Sequence, residues 1–284
     1  MTFPKNFDPI YFADSPWSER VQAWERQNIS HGFSAGNATL IRRLLDDDAT
    51  GLRVVINITP AALEAMLRED NYRNIYEHPD IGGQSRAPSK DRKEVDEKLS
   101  IGPDTYFGAV ALGGAGLRFY GTYCMVLSAK FVDSDTQLFD RDSYEILLPP
   151  LADAHVTPKD ISRLKGKWQI DRVDMAMLKV LPEVRHDSRL VTSGAVSSMV
   201  LRDQEYIEVH LHQKFRPADL EEIRESADDA ATEVDILERR RAGLHVRAEE
   251  AEWVRRRSHI AQLMDEKDIH HRVVTMYGRG YRWV

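Results

Sequence analysis

Residues 52–59 read Leu-Arg-Val-Val-Ile-Asn-Ile-Thr, with Gly51 before them and Pro60 after. β-Branched side chains crowd the turns of a helix but pack well on a pleated surface, so this short run between two chain breakers predicts an internal strand. Pro60 cannot extend a ladder, yet its fixed φ suits the first turn of a helix, and Thr59 can accept from the free amides there. The strand therefore feeds a helix at 60–69, and a chain with such a step must build a sheet with helices packed on it. The same start recurs at Ser15-Pro16 and Thr157-Pro158. It predicts helices at 16–27 and 158–165, the second with Asp160 in the capping-box position usually held by Glu. A further amphipathic turn, from Asn37 through Leu40, Ile41, Leu44 and Leu45, ends at three consecutive aspartates, 46–48.

Two more apolar runs, 106–111 and 117–128, flank Gly113-Gly114-Ala115-Gly116, which reads as a β-hairpin. A glycine-rich loop can cradle phosphate where a helix begins after it, but here a strand follows. Residues 71–99 form a polar tract, with Gly82-Gly83-Gln84-Ser85, that reads as a mobile loop entering a short exposed helix. Tyr72, Tyr76 and His78 at its start are side chains on which a ligand can stack or hydrogen-bond. Near the C-terminus Leu220, Ile223, Ala227, Ala230, Val234 and Leu237 form a heptad stripe on an otherwise charged segment. After Gly243, Trp253, Ile260 and Leu263 or Met264 mark a second helix, giving an antiparallel helical hairpin that can pack on the sheet or join two copies as a homodimer. Residues 272–276 and 281–284 around Gly278-Arg279-Gly280 predict a closing β-hairpin. The expected fold is α+β. It has a mixed or antiparallel sheet of about five to seven strands, flanked by helices, with a C-terminal helical hairpin and a terminal β-hairpin. The expected division is a core domain at 1–216 and a helical hairpin plus closing β-hairpin at 217–284.

Composition excludes whole classes of protein. The 284-residue chain is 42% hydrophobic with no apolar run long enough for a membrane span, and its start lacks a basic, apolar export signal. Cys124 is its one cysteine, which rules out an intrachain disulfide or a thiolate metal cluster and points to a cytoplasmic protein. Mid-strand among apolar neighbours, Cys124 reads as a core residue rather than a nucleophile. A net charge of −7 argues against unspecific binding to nucleic acid, while the arginines at 239–241 and 255–257 suit helix ends and a solvated charged face.

The strand at 205–215, Glu-Tyr-Ile-Glu-Val-His-Leu-His-Gln-Lys-Phe, carries the densest chemistry. Its period of two sets Ile207, Val209 and Leu211 on one face and Tyr206, Glu208, His210 and His212 on the other. One reading is a metal-dependent hydrolase in which Glu208, His210 and His212 share an ion. A second is a half-solvated strand whose polar face meets water. A third uses Glu208 alone, as a carboxylate that orients a hydroxyl and stabilises positive charge on a sugar carbon.

The third reading has company elsewhere in the chain. Residues 30–34, Ser-His-Gly-Phe-Ser, followed by Asn-Ala-Thr-Leu-Ile-Arg-Arg-Leu-Leu at 37–45, resemble the opening of ADP-ribosyltransferase-like folds, where a strand bearing His or Arg precedes a helix. Phe-Tyr-Gly-Thr-Tyr-Cys-Met-Val-Leu-Ser at 119–128 resembles the Tyr-Gly-centred strand of bacterial abortive-infection proteins of the AbiGi type. Residues 205–211 resemble the late strand that carries the glutamate in DNA-targeting ADP-ribosyltransferase toxins. The resemblance implies NAD as substrate, with His31 helping to position it, Tyr120 or Tyr123 stacking on nicotinamide and Glu208 as the catalytic carboxylate. It further implies a toxin or phage-defence effector acting on a protein or nucleic-acid acceptor, with no metal. The family's Ser-Thr-Ser pattern is replaced at best by the looser Val-Thr-Ser-Gly-Ala-Val-Ser-Ser at 191–198. Separately, residues 258–264 and 272–283 resemble the recognition helix and wing of winged-helix response regulators. That implies a non-enzymatic alternative, a protein- or DNA-binding module built on the C-terminal helices and hairpin.

Overall fold

A computed structural model describes residues 14–29, 33–77, 80–81, 84–85, 89–144, 157–185, 187–202 and 206–275. The run at 52–59 forms β1 (Arg53–Ile58), and Thr59 caps α3 (Pro60–Glu69) by accepting from the Ala62 amide at 3.4 Å. β1 pairs antiparallel on both sides, with β4 (Tyr106–Ala111) and with β5 (Tyr123–Leu127). The sheet continues past β5 through β9 (Leu220–Ser226) to β10 (His271–Val274). On the other side it runs through β8 (Glu208–Leu211) and β6 (Gln137–Phe139) to β7 (Lys165–Lys167). These eight strands form one mixed sheet, because β10 alone runs parallel to its neighbour. The protein is thus α+β, with a sheet wider than the five to seven strands expected. β2 (Asp80–Ile81) and β3 (Gln84–Ser85) make a separate small pair.

One face of the sheet carries the main core. Val54, Ile56, Ile58, Met125 and Val209 meet α1 (Trp17–Ile29), α2 (Ala35–Leu45), α3, α6 (Trp168–Val184) and α9 (Ala248–Glu266). Each buried aliphatic side chain there contributes about 1.5–3 kcal/mol. The opposite face has only a small cluster of Val55, Ala109, Ala111, Cys124 and Val126 under Leu117 and Leu201. Farther along it, α4 (Lys90–Leu99) and α5 (Pro158–Leu164) close on Phe139.

Two expectations are corrected. Strands 106–111 and 117–128 do not form a hairpin, because β1 lies between β4 and β5 and the connecting segment crosses it. Asn57 of β1 holds that segment. Its Nδ2 donates to Ala115 O (2.9 Å) and Gly121 O (3.0 Å), and its Oδ1 accepts from the Leu117 amide at 2.6 Å. Gly116 has φ +65°, and a Cβ there would sit 2.1 Å from Asn57 Oδ1, so the loop needs glycine for conformation and for space. The heptad stripe is not one helix either, since residues 220–226 are β9. Its charged side chains are buried in pairs, Arg224 with Glu222 at 2.5 Å and Glu225 with Arg257 at 2.5 Å, which lets a polar segment lie inside a sheet. The helix, α8 (Ala227–Arg241), starts only where Ser226 caps it by accepting from the Asp228 amide, and Val234 of the stripe is exposed while Ile236 is buried.

α8 and α9 form the expected antiparallel hairpin, tied by Arg239 to Glu250 (2.9 Å) and by Glu233 to Arg257 (2.8 Å). α9 lays Ile260 and Met264 in the main core beside α3. β10 is the first arm of the expected closing hairpin, and its turn and second arm lie outside the described residues. Asn57→Ala removes the three hydrogen bonds by which β1 holds the crossing segment. It is expected to lower the unfolding free energy by about 2–4 kcal/mol, read as a drop in urea midpoint, and an unchanged midpoint would show that the loop holds itself.

Candidate functional site

The β1–β4 ladder pairs Arg53, Val54 and Val55 with Ala111, Val110 and Ala109 and goes no further. Beyond that fork β1 stays with β5 as far as Ile58 opposite Tyr123, while β4 stays with β8 as far as Tyr106 opposite Leu211. A cavity of about 610 Å³ opens at the fork, lined by Val55, Ile56 and Asn57 on one side and by Phe107, Gly108 and Ala109 on the other. Register fixes what stands beside it. Val55 lies opposite Ala109, Ala109 opposite Glu208 and Glu208 opposite Phe139, so Glu208 occupies the row in which the sheet divides.

β8 is flanked by β4 and β6 and covered on both faces, so its polar face does not meet water. Glu208 is 3% exposed and His210 2% exposed. Such a carboxylate must be fully hydrogen-bonded to stay ionised. His210 Nε2 donates to Oε1 at 2.6 Å, and Ser143 donates to Oε2 from its amide (3.3 Å) and its hydroxyl (3.2 Å). Burial alone would raise the Glu208 carboxyl, but the His210 hydrogen bond and charge, with Arg92 and Ser143 behind them, hold it below its ordinary value. It is therefore an anion at neutral pH, able to accept from a hydroxyl or face a developing cation. A general acid would need the opposite shift.

Above it the cavity is walled by rings, Tyr206, Tyr120, Phe119, Phe107 and Tyr144. The hydroxyls of Tyr120 and Tyr206 lie 3.4 Å apart, joining the segment after the glycine loop to the residue just before β8. Aromatic faces of this kind take a planar ring by stacking and favour a cationic one.

The structure brings together only part of the expected site. Glu208 and Tyr120 share the cavity, and Tyr72 lines it too. Tyr123 points to the helical face of the sheet, buried with Arg257 Cζ 5.5 Å from its ring centroid, and is not a cavity residue. His31 and His78 lie outside the described residues. His212 is past the end of β8, exposed, with Nδ1 3.5 Å from Thr105 Oγ1, so it does not join Glu208 and His210. Among the described residues no group of three or more His, Cys, Asp or Glu is placed to hold a metal ion. Residues 191–198 run into α7 (Ser193–Val200) and are not among those lining the cavity. Cys124 is buried, its thiol pushed up to about 12 by burial, as suits a core residue. No helix among the described residues is long and apolar enough to cross a membrane.

Sequence reasoning missed Ser143, Tyr144 and Arg92. Ser143 ends the run Asp-Arg-Asp-Ser at 140–143, which reads as a solvated turn yet is buried throughout. Lys179 of α6 secures it, 3.0 Å from Asp140 Oδ1. Only the tertiary ion pair explains that burial, and it leaves no local signature.

Beside the cavity, burial and then the charge of Glu208 push the Asp96 carboxyl up to about 7 from its ordinary 3.8. Folding thus takes up a proton at Asp96 between those values, and its contribution to stability is lost as pH rises through about 7. Urea midpoints of the wild type and Asp96→Asn, compared at about pH 5 and pH 8, are expected to move in the variant's favour at the higher pH. A constant difference would show that Asp96 is ionised throughout.

The sequence matches no protein-family model, and no curated protein is significantly similar to it.

Proposed function

We propose that this protein is an ADP-ribosyltransferase-like enzyme that uses NAD as substrate and acts as a toxin or phage-defence effector. The observation that carries the reading is a buried Glu208, hydrogen-bonded to His210 and Ser143, set at the fork of the sheet beneath a cavity walled by Tyr120, Tyr206 and Phe107. The resemblances at 119–128 and 205–211 fall on that same cavity through Tyr120 and Glu208.

The chemistry follows from those groups. The ring of an N-ribosyl pyridinium is cationic and planar, so aromatic walls and a nearby anion favour it. As the bond from ribose C1′ to the pyridinium nitrogen breaks, its electron pair leaves with nicotinamide and positive charge moves onto the sugar. Glu208 faces that charge and accepts from a ribose hydroxyl, stabilising the transition state more than the ground state. An acceptor nucleophile then bonds to C1′ and gives up its proton to water. In this scheme His31 retains the NAD-positioning role that the resemblance implies.

Nicotinamide release from NAD, with and without a cell lysate as acceptor source, tests the proposal. Glu208→Gln keeps the shape and removes the charge, and is expected to lower the rate by about 10²–10³ and to relieve toxicity on expression. A folded Glu208→Gln protein with wild-type turnover and toxicity would sink the enzyme reading in favour of a binding module on α8 and α9.

A further inference from the structure

Arg92, in the first turn of α4, is 6% exposed and lines the cavity. Its Nη1 donates to Ser143 Oγ at 2.9 Å, its Nη2 lies 2.6 Å from Asp96 Oδ1, and its guanidinium carbon stacks 4.0 Å from the centre of the Phe107 ring. Tyr144, the residue after Ser143, stands on another side with its ring centroid 5.4 Å away. Arginine has donors and no acceptor, so Ser143 Oγ can only accept from it. The hydroxyl has one proton, and with a lone pair committed to Arg92 that proton is free to turn to Glu208 Oε2, 3.2 Å away. The order of donation is therefore set from one end, Arg92 to Ser143 to Glu208, and successive donation along such a chain strengthens each bond.

We infer that Arg92 is a positioning residue: by donating into Ser143 Oγ it turns that hydroxyl onto Glu208 and fixes the carboxylate at the fork of the sheet. Its kinetic consequence rests on the transferase reading. The geometry itself does not. The role assigned to Arg92 is the hydrogen bond from Nη1 to Ser143, with the rest of its guanidinium lying against Asp96 and Phe107 at the cavity wall.

A double-mutant cycle on the full chain tests this, with Arg92→Met, Ser143→Ala and the pair. If Arg92 acts through Ser143, each single change lowers the rate constant for nicotinamide release about tenfold, the value of one charge-assisted hydrogen bond. KM is expected to stay within about twofold, and the double variant to lose no more than about twofold beyond the worse single. Multiplied losses, about a hundredfold in the double, would overturn the inference. Ser143→Thr keeps the hydroxyl and is expected to retain wild-type rates within about threefold, and a loss equal to that of Ser143→Ala would also count against it. Should Arg92→Met fail to fold, Arg92→Leu, which also removes every donor, takes its place in the cycle.

A second readout needs no turnover. In protein labelled with ¹³C at glutamate carboxyls, the Glu208 resonance is identified by its loss in Glu208→Gln and titrated. Arg92→Met and Ser143→Ala are each expected to raise its midpoint, with the double short of the sum, whereas additive or absent shifts would overturn the inference. Wild-type protein that releases no nicotinamide while showing these coupled shifts would refute the transferase reading and leave the positioning role standing.

Discussion

Adjacent strands in the middle of a sheet normally satisfy each other along their whole length, because an unpaired backbone amide or carbonyl away from water costs as much as a lost hydrogen bond. β1 and β4 bond only as far as Val55 and Ala109, then follow different partners. Each half keeps one bonded flank, so the division is tolerable, and the wedge between them is what a ligand can enter. Asn57 sits on the wall of that wedge and ties the crossing segment, so the residue that shapes the cavity also holds the loop carrying Tyr120. Gly108 on the facing strand lets the two backbones stay close at the start of the fork, where a Cβ would meet Val55 O at 2.8 Å.

Apart from the Asp140 and Lys179 pair, charge burial among the described residues centres on two strands that the sheet encloses, β8 and β9. Around Glu208 lie His210, Ser143, Arg92 and Asp96, and around Glu225 lie Arg257, Glu233 and His271. Desolvating an ion costs several kcal/mol even after relaxation, and pairing offsets that cost only with near-ideal geometry. The second cluster secures α9 to β9 by ion pairs, and such pairs suffice to explain it. The first holds its anion by a histidine two residues along the same strand and not by an ion pair to another element. Glu208 takes hydrogen bonds from a histidine and a serine, which keep it charged, and it borders a cavity. That difference separates a site from a staple.

What the sequence disclosed was what local chemistry controls. β1 and its capped helix, the helices begun at Thr157 and near Asn37, and the alternation along β8 follow from neighbours in the chain. The lost hairpin between β4 and β5 turned on which strands pair, and a glycine run specifies a tight chain path without saying what lies across it. β9 was hidden by its charges, since Glu222, Arg224 and Glu225 look solvated until Arg257 and Arg272 are brought to them. Tyr120 and Tyr123 were equivalent in the sequence and part company in space, because one sits in the crossing segment and the other faces the helices from β5. Glu208 was legible, but its surroundings were not, for Ser143 and Arg92 reach it from distant parts of the chain.

The parallel alignment of β10 with β9 makes one edge of the sheet depend on the helices beside it. A parallel neighbour cannot be reached by a tight turn, so residues 227–270, with α8 and α9, form the crossover that brings His271 level with Ile223. Arg257 grips Glu225 from α9 at the point where that crossover lands. The edge of the sheet thus depends on that helical crossover, and a chain in which it were undocked would present the open flank of β9 to other chains.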